Sequence, residues 1–166
     1  LSKEIVDDEL KKNNSKSSKV SILNPLSSEL ESMRTNLLVG LCENIRYNQN
    51  RQQQSIKLFE FGKTYKSSEN GFHESRQMAF IICGNQNPDS WRHPIKKADF
   101  YEVKEISKTL CLKLGLNVKE AEIPESLYLK NGQQLTIKRN KLVEYGEISD
   151  ILKNKIGFKG VLFAGV

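Results

Sequence analysis

Two strand-like segments that follow each other without an intervening helix constrain the fold of this chain more than any other feature. Ser55–Tyr65 places apolar side chains on both faces of a strand, and Gln77–Cys83 is a continuous apolar run of the kind found in a buried strand. Strands and helices do not alternate in a βαβ rhythm, and hairpin-type connections dominate. We therefore predict an α+β fold in which an antiparallel sheet is flanked by helices packed on one face.

Apolar stripes with helical spacing predict the helices. In Thr35–Asn50 a leucine or isoleucine recurs every four residues. A second helix is expected over about residues 100–114, because Asp99 can cap its start and Gly115 can end it. A third, shorter helix is expected near Ser149–Lys155.

The remaining strands are predicted to be short. One lies near Val20–Leu23, and four lie in the last third of the chain, near residues 127–129, 135–137, 142–148 and 160–163. Asn131-Gly132 is a typical hairpin turn and is expected between two of them. The strand and helix spacings together predict six buried side chains, namely Phe59, Phe61, Ile81, Val103, Ile106 and Leu110.

Composition indicates a globular chain outside the membrane. Hydrophobic residues make up 37% and charged residues 28%, and no apolar run approaches the roughly 20 residues that a membrane helix needs. The three cysteines are scattered and form no C-x-x-C pair, which favours reduced thiols in the cytoplasm. The first residue is leucine, so we expect an internal fragment, with a polar N-terminal segment at 1–19 and one core domain at 20–166.

The net charge of +6 leaves nucleic-acid binding open without favouring it. Lys/Arg and Asp/Glu balance to zero over residues 1–50 and to +3 over each of 51–100 and 101–166, and no basic run exceeds two residues. An evenly spread charge is typical of a solvated surface. The alternative, a free-standing basic RNA-binding module, would require Lys/Arg and exposed aromatics to converge on one surface. Trp91 could stack on a base, but we expect it to anchor its loop in the core.

No pattern of catalytic or metal-binding residues is visible. His73 and His93 stand twenty residues apart without further ligands at short spacing. Asp99, Glu102 and Glu105 could act as paired carboxylates, but a helix cap and a solvated face explain them better. The chain has no G-x-G-x-x-G, P-loop or G-x-S-x-G element. We therefore predict no catalytic, cofactor-binding or metal-binding residue.

Three segments in the right order and spacing resemble a known family. Ile22–Ser27 followed by Met33–Leu41 is similar to the "NP-S…MRTSLLPGLL" segment of the bacterial phenylalanine–tRNA ligase beta chain. Asn48–Arg51 with Leu58–Tyr65 resembles its "N…R…LFEIGRVF" segment, and Trp91 with Asp99–Lys104 resembles its "W…DFFDLKG" segment. The resemblance is strong over residues 20–115 and looser afterwards, where the family's "PGR-A" element has no clear match.

The resemblance implies an enzyme of two alpha and two beta chains. The alpha chain carries the class II synthetase active site, and the whole enzyme attaches phenylalanine to tRNA using ATP and magnesium. The matching beta-chain region has the same class II-like sheet without catalysis, and it packs on the alpha chain. The family's editing site and anticodon-binding domain would lie outside these 166 residues.

The residues support the loss of catalysis. A class II site needs an arginine on a sheet strand to hold the ATP phosphate, because a guanidinium matches phosphate oxygens. Here the strand carries Glu60 and no arginine, and a carboxylate repels a triphosphate. We therefore expect the fragment alone to be inactive. An enzyme with a divergent class II site is the least favoured reading.

The resemblance also locates a candidate interface on the first helix. Its leucine and isoleucine side would pack on the chain's own sheet, which leaves five residues on the far side, Val39, Glu43, Arg46, Tyr47 and Asn50. An aliphatic residue, an arginine and a tyrosine among polar residues is a mixture that interfaces favour. We predict that this face contacts the alpha chain, and the alternative is a solvated helix face.

Overall fold

The computed structural model describes residues 20–26, 31–87, 91–92, 94–123 and 126–166. The predicted polar segment at 1–19 lies outside these residues. In chain order the elements are α1 (Leu38–Gln49), β1 (Ile56–Ser68), β2 (Gly71–Cys83), α2 (Phe100–Lys113), β3 (Lys119–Glu122), β4 (Leu129–Ile137), β5 (Asn140–Ile148), α3 (Asp150–Ile156) and β6 (Phe163–Gly165).

The six strands form one sheet in the order β1-β2-β6-β5-β4-β3, and each neighbouring pair is antiparallel. The predicted α+β class is therefore confirmed. The β1–β2 hairpin is longer than predicted, since its pairing runs from Ile56 with Cys83 to Ser68 with Gly71. The outer part of the hairpin was not predicted, because the residues near its turn are polar and show no alternating apolar pattern.

Helices cover both faces of the sheet, so the prediction that they pack on one face is wrong. On the first face, which we call the α1 face, the core joins α1 and α3 to Ile81 and Ala164. On the second, the α2 face, Phe80 and Ile82 pack with Val103 of α2. Successive strand residues point to opposite faces of the sheet. The continuous apolar run of β2 therefore contributes side chains to the core on each face.

The helix starts follow from local hydrogen bonds. Asp99 accepts a bond of 3.0 Å from the Glu102 N–H, which confirms the predicted cap of α2. Ser149 caps α3 in the same way, and Gly157 ends that helix with φ of 69°. At α1 the Asn36 side chain accepts from the Leu38 N–H at 2.6 Å.

Asn131-Gly132 is not a hairpin turn, as had been predicted. These residues lie inside β4, at a register shift between Lys130 and Gln133. Asn131 has φ of 50°, and a Cβ on Gly146 would lie 2.8 Å from the Cα of Gly132. The positive φ therefore serves a bulge in which two strands approach closely. The actual turn between β4 and β5 lies at residues 138–139.

Two predictions about the outer part of the sheet also fail. Val20–Leu23 forms no regular strand and makes a single bridge, from Ser21 to Ser32.

The six side chains predicted to be buried differ in their exposure. Ile81 and Val103 are fully buried as predicted and Ile106 and Leu110 are half-buried, but Phe59 and Phe61 are 69% and 72% exposed. They lie on the α2 face of β1. This strand is at the edge of the sheet, and α2 does not cover it there.

Candidate interaction surfaces

The outer face of α1 presents most of the predicted interface. Glu43, Arg46, Tyr47 and Asn50 are exposed, and Tyr47 is 56% accessible. The Arg51 guanidinium lies 3.5 Å from the centre of the Tyr47 ring, and its Nη1 donates to the Tyr47 carbonyl. This stacking holds the tyrosine in an ordered position on the surface.

Val39 does not belong to this face, contrary to the prediction. It is 5% exposed and is part of the same buried cluster as Leu152 and Ile156 of α3. Val39 lies in the first turn of α1, and α3 packs against α1. The buried arc of the helix is therefore wider than its leucine stripe indicates.

A second feature lies where β1 meets the segment before α1. Arg34 donates to the Glu60 carboxylate at 2.5 Å and to the Lys63 carbonyl at 2.8 Å. Its own carbonyl accepts from the Tyr65 N–H at 2.9 Å. Strand β1 thus has an arginine beside it, as a class II site would need, but this cation is already paired with a carboxylate.

Lys63, which belongs to β1 itself, is paired with a carboxylate too. Lys63 contacts Glu74 across β1 and β2 at 2.7 Å. The hydrogen bond to Glu74 raises the pKa of Lys63, and the same bond lowers the pKa of Glu74. An anionic ligand here would have to compete with these carboxylates for Arg34 and Lys63.

The candidate catalytic carboxylates have structural roles. Besides capping α2, Asp99 pairs with Lys96 at 3.5 Å. Glu102 bonds to Lys57 at 2.6 Å and has a side chain only 14% exposed, so it is a tether between β1 and α2 and not a solvated residue. The described residues contain no group of three His, Cys, Asp or Glu placed to hold a metal ion.

Of the three other residues singled out from the sequence, His73 and Trp91 lie in the described part of the chain. His73 lies 3.1 Å from the Ser68 hydroxyl near the hairpin turn, and His93 lies outside the described residues. Trp91 is 98% exposed, so the expectation that it packs into the core is wrong. No described core element covers it.

The sequence reasoning missed an apolar groove on the α2 face. The groove has a volume of about 370 Å³ and runs between β1 and α2, with Phe59 and Phe61 on one side and Ile106 and Leu110 on the other. Met78 lies opposite Phe61 in the hairpin and forms part of its floor. The signal was present in β1, whose two faces are both apolar.

The sequence matches a known protein family over almost its whole length. A family model described as the phenylalanyl tRNA synthetase beta chain CLM domain matches residues 1–164. The chain belongs to this family. Phenylalanine–tRNA ligase beta subunits of Carboxydothermus hydrogenoformans and Colwellia psychrerythraea are 34% and 33% identical to it, over 84% and 82% of the chain. The chain spans 18% of the length of each of these beta subunits.

Solved structures support the same class of fold for this beta-chain domain. Its fold is similar to that of a pyrrolysyl tRNA synthetase from Desulfitobacterium hafniense, with a TM-score of 0.62 and 13% identity. The match covers 98% of this chain and 63% of that one. The predicted class II synthetase-like sheet is therefore confirmed. Among the described helices of the beta-chain domain, none has the length and apolar character to cross a membrane.

Proposed function

We propose that this chain is a non-catalytic structural domain of a phenylalanine–tRNA ligase beta chain and that it packs on the catalytic alpha chain. The whole enzyme would be a cytoplasmic assembly of two alpha and two beta chains that attaches phenylalanine to tRNA with ATP and magnesium. The match of the family model to residues 1–164 carries this proposal.

The chemistry of β1 supports a role without catalysis. A phosphate-binding arginine has to be free to offer its donors to phosphate oxygens. Arg34 instead binds Glu60 and the Lys63 carbonyl, and Lys63 binds Glu74. These contacts tie the elements of the fold together and leave carboxylates on both sides of the strand.

The outer face of α1 supports a role in assembly. Interfaces favour tyrosine and arginine held in ordered positions, because little side-chain entropy is then lost on binding. The stacked pair of Tyr47 and Arg51 meets this condition beside Arg46 and Glu43. We therefore keep Glu43, Arg46, Tyr47 and Asn50 as the proposed alpha-chain contact and remove Val39.

The alternative, a free-standing RNA-binding module, has less support. Exposed aromatics do occur beside cations, since Phe61 precedes Lys63 by two residues on the same face of β1. That lysine is paired with Glu74, so it is less available to a phosphate backbone than a free lysine would be.

The test is the double change Arg46→Glu with Tyr47→Ala in the full-length beta chain. We expect the beta chain to stay folded and its affinity for the alpha chain to fall at least tenfold, measured by light scattering on mixed chains. Arg139→Glu is the matched control, because Arg139 is an exposed arginine in the turn between β4 and β5. Unaltered assembly of the double variant would show that this face is not the contact.

A further inference from the structure

The groove between β1 and α2 is a surface that the described fold leaves open. Two helices, α1 and α3, contribute to the core of the α1 face, whereas α2 is the helix packed on the other face. Phe59 and Phe61 stand edge to face with ring centres 5.9 Å apart, yet more than two thirds of each is exposed. An exposed apolar patch of this kind marks a site of further packing.

The groove presents an apolar helix side against which a further α-helix could pack. One wall is itself a helix, because Ile106 and Leu110 are spaced four residues apart on α2. A helix beside α2 at the usual 8–10 Å would place side chains at i, i+3 and i+4 between these residues and the two phenylalanines. Its inner side would rest on Met78 and Phe80, which form the floor.

The chemistry of the groove requires an apolar occupant. Eight of its nine lining residues are leucine, isoleucine, methionine or phenylalanine, and the ninth, Lys57, has its ammonium bound to Glu102 and to the Gln86 carbonyl. No free charge on this lining could anchor a polar ligand. Burial of the two phenylalanine side chains would favour such an occupant.

We propose that an amphipathic helix from another part of the same beta polypeptide fills this groove. The inference rests on the proposed place of this chain within a longer beta chain. The chain spans only 18% of the length of the related beta subunits, so the same polypeptide offers many candidate segments. A tethered segment acts at a high effective concentration and needs little intrinsic affinity.

Sheet geometry also places the groove within reach of a tethered segment. Strand β6 lies next but one to β1 in the sheet. Its pairing of Phe163 with Ile82 and Gly165 with Phe80 aims its backbone along β2 toward Met78. A helix joined to β6 by a short loop would reach the groove without crossing the sheet.

The test is photocrosslinking from inside the groove. Phe61→p-benzoylphenylalanine is introduced into the full-length beta chain, which is irradiated alone and in complex with the alpha chain. We expect an intramolecular crosslink in both samples, to a beta-chain peptide outside these 166 residues, identified by mass spectrometry. The same group at Leu112, which is 77% exposed on α2 but outside the groove lining, is the matched control and should give no such crosslink.

Three results would overturn the proposal. They are a crosslink to the alpha chain, a crosslink between two beta chains, and no crosslink in either sample. The sample without alpha chain separates this inference from the proposed function. If the alpha chain fails to bind but the intramolecular crosslink forms, the groove assignment stands and the assembly role falls.

Discussion

Arg34 donates a hydrogen bond of 2.5 Å to the Glu60 carboxylate and thereby fastens the segment before α1 to the edge strand β1. The contact depends on a glycine. A Cβ at Gly62 would meet the Arg34 guanidinium and would lie 3.0 Å from Leu37 Cδ2. The contact between Arg34 and Glu60 thus requires the space that Gly62 leaves on β1.

Gly62→Ala should therefore destabilise the chain by about 1–2 kcal/mol, because the methyl group displaces Arg34 from Glu60 and crowds Leu37. Urea unfolding of the purified protein measures this change. In an Arg34→Ala background the same substitution should cost clearly less, since the displaced contact is already gone. Strictly additive losses would show that Arg34 and Gly62 are not coupled.

Exposure of the two phenylalanines predicts an uneven response to substitution. Phe59→Ser and Phe61→Ser should each change the unfolding free energy of this chain by less than about 0.5 kcal/mol, as at other surface positions. Ile81→Ala, in the buried part of the same hairpin, should cost about 2–5 kcal/mol. Equal losses at all three positions in urea melts would place the phenylalanines in a core after all.

Glu120 predicts part of the acid sensitivity. Hydrogen bonds from Lys104 and Lys108 hold its pKa below the ordinary value of 4.5. Since the pKa is lowered in the folded state, the stabilisation is fully present above about pH 4.5 and is lost as the pH falls through the folded-state value. Glu120→Gln should flatten the fall of the melting temperature below pH 4.5, whereas the exposed neighbour Glu122, changed to Gln, should not. If the melting temperatures of the Glu120→Gln variant and the unmodified chain fall equally below pH 4.5, Glu120 does not contribute to the acid sensitivity.

Tyr145 predicts the response at high pH. Burial raises the pKa of its hydroxyl to about 12, and that hydroxyl donates to Gln133 at 3.0 Å. A raised pKa means that this contribution is complete below about pH 10 and is lost as the pH rises toward 12. Tyr145→Phe should lower stability near neutral pH by about 1 kcal/mol and weaken the alkaline loss. If the Tyr145→Phe variant loses stability at high pH as strongly as the unmodified chain, other groups cause that loss.

Any binding of RNA to this chain should be weak and independent of the RNA sequence. A net charge of +6 spread along the chain provides few simultaneous phosphate contacts, so affinity should fall steeply with salt. Fluorescence anisotropy with two unrelated tRNAs tests this at several salt concentrations. Tight binding at about 150 mM salt that discriminates between them would favour the RNA-binding alternative.

Local signals predicted those elements whose cause is local. The cap at Asp99 and the helix that follows it both lie within one stretch of sequence, and the structure confirms them. Asn131 also carried a genuine backbone signal, a positive φ, but a bulge and a turn use the same residues. Which of the two forms depends on the partner strand, which the local pattern does not contain.

Positions decided by neighbouring layers could not be predicted in this way. Both faces of β1 are apolar, so the sequence pattern allowed either Phe59 or Leu58 to face the core. The outcome depends on α2, which leaves β1 uncovered on one side. Val39 was misplaced for the same reason, since α3 lies more than a hundred residues away in the sequence and buries the start of α1.

Capture of the alpha chain tests the central claim most directly. This 166-residue chain is immobilised, its folding is checked by circular dichroism, and it is incubated with the purified alpha chain of the same organism. We predict that the alpha chain is retained in a one-to-one ratio and that the immobilised chain alone shows no phenylalanine-dependent pyrophosphate exchange. A folded chain that retains no alpha chain, or one that catalyses the exchange by itself, would contradict a non-catalytic assembly domain.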